Sequence, residues 1–366
     1  MKPKERVQTA LRRTGTPDRV PLQFDLCRQL LESFSGKHGI PVHYTRSYYE
    51  DLMYRISGNE LRTAMGSDCV VVGGSLPAGY RPRRAADGCI VNEFGMVMRQ
   101  GPLYMEVIEA PLADVSSVDE VERYPFPDPL SAGRYNEAER LIAEYGDDYY
   151  IIGDLELTTF EMAWHMVGLE KFMIDLAMGE PYIGALLDRT MAFSIGVGKR
   201  LAELGVDGIW AGDDFGAQNG MLLSPRMWRE VFKPRFAELF AELKSSDPDV
   251  LIMYHSDGAV APILGDLIEI GMDVFNPVQP NVPGHEPEEL KARYGEQLSF
   301  WGAIDQQHLL PNGTPDEIAR DVADKIRVLG AGAGFMCAPA HIVQADTSPT
   351  NVEAFIAAVQ EHGVYR

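Results

Sequence analysis

Short apolar runs that stop abruptly at polar residues recur along this chain. Cys69-Val-Val-Val-Gly-Gly74, Tyr149-Tyr-Ile-Ile-Gly-Asp154, Gly205 to Asp214 and Leu251-Ile-Met-Tyr-His-Ser-Asp257 have this form. So do Val20 to Asp25, Met272 to Gln279, Leu298 to Asp305 and Gly332 to His341. Runs of this length, rich in β-branched and aromatic residues, fit strands buried on both faces. Between them, apolar residues recur at helical spacing, as over Tyr135 to Tyr145, Glu180 to Leu204, Val260 to Ile270, Thr314 to Leu329 and Asn351 to Glu361. Ser224-Pro225 and Thr314-Pro-Asp-Glu317 carry helix-start signals.

Strands alternating with helical crossovers predict a parallel sheet. Eight such units in 366 residues predict an α/β fold, a (β/α)8 TIM barrel, with residues 1–366 as a single domain. The rhythm breaks between about 75 and 135. There, Gly88 to Gln100 reads as a hairpin turning near Glu93 to Gly95, and Leu103 to Ala110 supplies a third strand. This predicts an antiparallel β-hairpin insertion after strand two, lying over the barrel mouth.

Composition narrows the partners. The net charge of −21 opposes binding to nucleic acid or anionic membranes. Cys27, Cys69, Cys89 and Cys337 show no C-x-x-C pairing, and the charged N-terminus lacks an apolar signal segment. Both features point to a reduced, cytoplasmic chain. No apolar run approaches the roughly 18 residues that span a bilayer. Neither the G-x-G-x-x-G nor the P-loop pattern occurs.

In a parallel barrel all strand C-termini meet at one rim, where active sites are built. The residues that would gather there are Asp25, Asp154 and Glu156, Asp213 and Asp214, His255 and Asp257, Asn276 and Gln279, Asp305 and Gln307, and His341. His255 and Asp257 are two apart, so a strand would project both to one face. That suits two metal ligands or a base and its orienting partner. A hydrogen-bonded histidine and a helix-capping aspartate fit the same spacing. His255, Asp257, His341 and one of Asp213 or Asp214 make an N/O set suited to zinc or another divalent ion. Cys337, four residues before His341, is either a further ligand or a small buried hydrophobe. Trp301 reads as core or pocket wall.

Several segments are similar to the uroporphyrinogen decarboxylase superfamily, which includes corrinoid-dependent methyltransferases. They are Lys4 to Leu11, Pro17 to Pro21, Gly212-Asp-Asp-Phe-Gly216, His255-Ser-Asp-Gly258, Asn276-Pro-Val-Gln-Pro280, Trp301-Gly-Ala-Ile-Asp305 and Ala338-Pro-Ala-His341. The resemblance implies a barrel enzyme, a homodimer and a metal at His255, with Asp257 and His341 where the methyltransferases place cysteines. It implies a metal-dependent methyltransferase that moves a methyl group between a small-molecule donor and a corrinoid protein. Asp213, Asp214, Asp154 and Asp305 would then be catalytic. Glu156, Asn276, Gln279, Gln307 and Trp301 would line the substrate pocket. A decarboxylase of a porphyrinogen or another carboxylic acid is the alternative. Its arginine-rich entry is represented after the first strand by Arg28 alone.

Overall fold

The computed structural model describes residues 1–49, 54–84, 88–101, 105–155 and 157–365. Seven parallel strands form one curled sheet. They are β1 (Cys69–Gly73), β2 (Tyr150–Asp154), β3 (Gly208–Gly212), β4 (Leu251–His255), β5 (Val274–Val278), β6 (Ser299–Ile304) and β7 (Phe335–Pro339), paired in that order. Every residue of β1 to β7 is buried. That accounts for their continuous apolar sequences, since helices cover the outer face and side chains fill the inner one.

The expected strand at Val20 to Asp25 is an extended segment rather than a regular strand. Leu22 and Leu26 make isolated parallel bridges to Cys337 and Val343. On its other side, the Leu22 carbonyl accepts the Asp68 N–H at 2.8 Å. Pro21 has no N–H for a ladder, and the Leu22 N–H goes to the Asp68 carboxylate. The segment thus links both edges of the sheet and takes the eighth place of the barrel.

Side-chain parity separates two cores. Cys69, Val71, Tyr150, Ile152, Trp210, Met253, Val274, Trp301, Met336 and Ala338 fill the barrel interior. Val70, Val72, Ile151, Ile209, Ile252, Phe300 and Cys337 pack outward under the helices. Trp210 and Trp301 sit against each other inside the barrel, with ring centroids 4.4 Å apart.

Between β1 and β2 lies a four-stranded antiparallel sheet made by residues Arg83–Arg84, Ile90–Val91, Val97–Gln100 and Met105–Glu109. The expected hairpin pairs Ile90 with Met98 and Val91 with Val97. Asn92 shapes its turn, its side-chain oxygen accepting the N–H groups of Phe94 and Met96. Leu103, the expected start of the third strand, lies outside the described residues. Among those described, no helix is long and apolar enough to cross a membrane.

Candidate metal centre

His255, Asp257 and His341 converge above the C-terminal ends of β4 and β7. One ligand atom from each lies within 4.8 Å of the others. His255 Nε2 is 3.9 Å from an Asp257 carboxylate oxygen, and His341 Nε2 is 4.0 Å from the second. Asp214, which follows β3, approaches His255 Nε2 at 3.5 Å. Ligands about 2.0–2.1 Å from a tetrahedral ion are roughly 3.4 Å apart. The observed spacing is slightly wider, so a small inward movement would seat an ion.

The tautomer of His255 is determined by its neighbours. The Trp210 indole N–H is donor-only, so the Asn276 atom it meets at 2.9 Å is the side-chain oxygen. The same oxygen lies 2.7 Å from His255 Nδ1, which must therefore donate. The Nε2 lone pair is left facing the carboxylates. This is how metal-binding histidines are oriented, one nitrogen tied to an acceptor and the other free to ligate. Burial holds both imidazoles neutral, lowering the pKa values of His255 and His341 to about 3.

The acids around them are crowded. The Asp257 N–H donates to Asp214 Oδ1 at 2.7 Å, and the Asp214 N–H donates to Glu161 Oε2 at 3.0 Å. Burial first, then Asp214, pushes the carboxyls of Asp257 and Glu161 well above the usual range. Arg55 opposes this, but it is also engaged 3.6 Å from Asp154 and 4.2 Å above the Trp210 ring. Three carboxyls and two neutral imidazoles around one cavity favour a bound cation.

Backbone contact brings the two acidic loops together. A Cβ on Gly216 would lie 2.5 Å from the Gly258 carbonyl carbon, and one on Gly258 2.3 Å from that of Gly216. Gly258 also has φ +76°, in the left-handed region. Any side chain at either position would separate Asp214 from Asp257.

The cavity holds about 410 Å³. Glu161, Asp214, Asp257, His255 and His341, with Arg55 opposite in charge and the amides of Gln306 and Gln307, supply its polar wall, and Tyr49, Tyr54, Met105, Leu157 and Ile342 the rest of the described lining. Met105 brings the antiparallel insertion to the mouth.

Other sequence candidates fall elsewhere. Asp213 is fully buried and turned away from the cavity, accepting the N–H groups of Thr158, Thr159 and Glu161 at the start of the helix Phe160–Val167. Burial lifts its pKa to about 7 despite those amides. It is a cap, and Asp214 is the member of the pair that faces the site. Cys337 faces the outer core, so it is not beside His341 at the rim. Its strand ends at Pro339, and spacing counted along a regular strand does not carry on to residue 341.

Asp25 is bound by Arg62 and Gln23 below the cavity. Asp154 lies near Arg55, outside the cavity wall. Asp305 receives the N–H groups of Gln307 and His308 and the Asn281 amide. Gln279 accepts the Gly258 N–H, supporting the Asp257 loop. Trp301 is buried in the barrel and donates to Gln23. Glu156 lies outside the described residues.

Sequence reading missed Tyr49, Tyr54, Arg55 and Glu161. None is at a strand end. Glu161 sits in the first turn of a helix, where an acid is favoured by the helix dipole alone and carries no separate signal.

Comparison with known proteins agrees with this architecture. A structure described as a methyltransferase from Methanosarcina mazei superposes with a TM-score of 0.70 over 99% of both chains, at 18% identity. A methylated-thiol–coenzyme M methyltransferase of the same organism is 25% identical over 207 residues, 57% of this chain and 52% of that one. The chain therefore matches about half the length of that relative. A uroporphyrinogen decarboxylase of Pseudoalteromonas translucida is 27% identical over 285 residues, 71% of this chain and 73% of the relative. The family model described as uroporphyrinogen decarboxylase (URO-D) matches residues 90–362. The chain belongs to the uroporphyrinogen decarboxylase family.

Proposed function

We propose that this chain is a metal-dependent methyltransferase that takes a methyl group from a small methoxy or amine donor and delivers it to a corrinoid protein. The observation that carries the reading is the His255–Asp257–His341 cluster, with the His255 Nε2 lone pair directed into it by Asn276 and Trp210. His255, Asp257 and His341 would hold the ion, zinc or another divalent metal that takes imidazole and carboxylate ligands. When bound, the ion supplies Lewis-acid polarisation of the donor heteroatom. One relative's name specifies a methylated thiol. Here a carboxylate and imidazoles make a harder site than thiolates would, which favours oxygen or nitrogen donors over sulfur.

The chain's own groups account for the rest. Asn276 keeps the proton on His255 Nδ1. Gly258 and Gly216 hold Asp257 beside Asp214. Tyr49, Tyr54, Met105 and Leu157 exclude water from the transferring carbon. The donor heteroatom would keep the electron pair of the broken carbon–heteroatom bond, and a reduced corrinoid held by the partner protein would supply the pair that forms the new bond to the methyl carbon. A cavity of about 410 Å³ is near the small end of ligand pockets and suits a small donor. A polycarboxylate tetrapyrrole matches it poorly, because its wall is acidic.

The test is metal analysis after reconstitution with zinc, followed by a methyl-transfer assay with methoxyarenes and cob(I)alamin. One equivalent of zinc per chain and methylcobalamin formation are expected, both lost in a His255→Ala/His341→Ala protein. A folded protein that takes up no metal, or one that releases carbon dioxide from uroporphyrinogen, overturns the reading.

A further inference from the structure

Every backbone N–H of the stretch that carries Asp257 is in use. Strand β4 ends at His255, yet the amides from Ser256 to Val260 all reach acceptors on other segments. Those of even number turn toward β5 and the loop after it. The Ser256 N–H donates to the Asn276 carbonyl at 3.0 Å, that of Gly258 to the Gln279 side chain at 2.7 Å and that of Val260 to His285 Nε2 at 3.3 Å. Those of odd number turn toward the loop after β3. The Asp257 N–H donates to Asp214 Oδ1 at 2.7 Å and the Ala259 N–H to the Ala217 carbonyl at 2.9 Å.

This is the alternation of an inner strand, whose amides face its two neighbours in turn. The strand begins with the same parity. Leu251 donates to the Asp207 carbonyl on the β3 side and Ile252 to the Asp273 carboxylate on the β5 side. Beyond His255 the side chains of Asp214, Gln279 and His285 take the place of ladder carbonyls. The stretch is thereby held extended, and the direction of the Asp257 carboxylate is set before any ion arrives.

His285 is 2% exposed, and its ring stands edge-on to Phe275 with centroids 5.3 Å apart. A backbone N–H can only donate, so Nε2 accepts and Nδ1 carries the proton. Burial keeps the ring neutral, lowering its pKa to about 4, so the acceptor persists at neutral pH. The same reasoning makes the Gln279 atom at Gly258 its side-chain oxygen.

We infer that Gln279 and His285 are positioning residues of the metal centre, which act on Asp257 through the backbone of its loop and are not themselves ligands. The inference rests on the reading of His255, Asp257 and His341 as the metal ligands. It makes the segment from Asn276 to His285 one clamp. Asn276 orients the His255 ring, and Gln279 and His285 hold the stretch that follows.

The test compares wild type with Gln279→Met, His285→Leu and His285→Gln. Gln279→Met and His285→Leu remove the acceptor, whereas His285→Gln keeps one, an amide oxygen near the place of Nε2. Zinc competition with a chromophoric chelator should show affinity lowered about tenfold in Gln279→Met and in His285→Leu, and restored to within about threefold of wild type in His285→Gln. In the metal-free proteins, hydrogen exchange across residues 256 to 260 should quicken in the first two variants and stay slow in His285→Gln, with exchange in β1 and β2 unchanged in all of them. Wild-type zinc affinity in both Gln279→Met and His285→Leu, or an affinity in His285→Gln as low as in His285→Leu, overturns the inference. Should His285→Leu not fold, Gln279→Met decides by the same readouts. No zinc uptake by the wild type overturns the metal reading and this inference with it. Uptake by the wild type with equal affinity in the variants overturns this inference alone.

Discussion

Asp68, Asp207 and Asp273 each stand one residue before a strand, at the N-terminal end of the barrel. Each reaches across to a neighbouring segment and meets a cation there. Asp68 takes Arg6, Arg19 and the Leu22 N–H. Asp207 takes Lys4 and the Ile151 N–H, and Asp273 takes Lys244 and the Ile252 N–H. At the C-terminal end, Glu161, Asp214 and Asp257 have mainly one another and two neutral histidines, with Arg55 as the cation of the cavity wall. The same side-chain chemistry serves two purposes. Paired acids fasten the bottom of the sheet, whereas crowded acids at the top are an arrangement that a folded chain keeps only for use.

The largest effect expected from this contrast is at Asp68, which is 1% exposed. Asp68→Ala would leave Arg6, itself buried, short of a partner. Breaking a buried pair from one side costs about 3–5 kcal/mol, read as a lower midpoint in urea unfolding. Asp257→Asn should behave in the opposite way. It removes a carboxyl from a like-charged group, so stability of the metal-free protein should stay within about 0.5 kcal/mol or rise. Zinc uptake should fall from one equivalent to nearly none. If Asp257→Asn destabilised as much as Asp68→Ala, the upper acids would be structural and the contrast would fail.

Much of this was legible in the sequence, for definable reasons. Strands buried on both faces announce themselves as apolar runs, and their polar ends mark the rim. His255, Asp257 and His341 were all found by that route. The segment from residue 20 to 25 reads as a strand because its composition is that of one. Whether it completes a ladder depends on which partner takes the Leu22 N–H, and composition does not carry that. Asp213 and Asp214 are indistinguishable in sequence because the strand ends at Gly212 and parity is lost in the turn. Arg55 and Glu161 reach the cavity through tertiary packing from a turn and a helix, so no local pattern reports them.

The contrast can be sharpened inside the upper site at Asn276. Asn276→Leu would remove the oxygen that holds the His255 Nδ1 proton and the Trp210 indole. The ring could then turn or change tautomer, and partners of this kind are worth about 10–100-fold in metal affinity. Zinc competition with a chromophoric chelator measures it. Unchanged affinity would mean that Asn276 packs against the histidine without orienting it.

The smallest effect separates adjacent residues. Asp213 caps a helix and Asp214 faces the cavity, so their alanine variants should differ in kind. Asp213→Ala loses the acceptor for three N–H groups around the start of the helix Phe160–Val167. Caps of this type are worth about 0.5–2 kcal/mol. The loss should appear in urea unfolding, with zinc affinity unchanged because no Asp213 atom lines the cavity. Asp214→Ala should leave stability nearly intact and weaken zinc, since Asp214 lies 3.5 Å from His255 and takes the N–H of Asp257. The pair therefore repeats, across one peptide bond, the division between the two ends of the barrel. If both variants lost zinc and stability together, helix position and metal geometry would be one coupled unit, and acids at this rim could not be sorted by what they face.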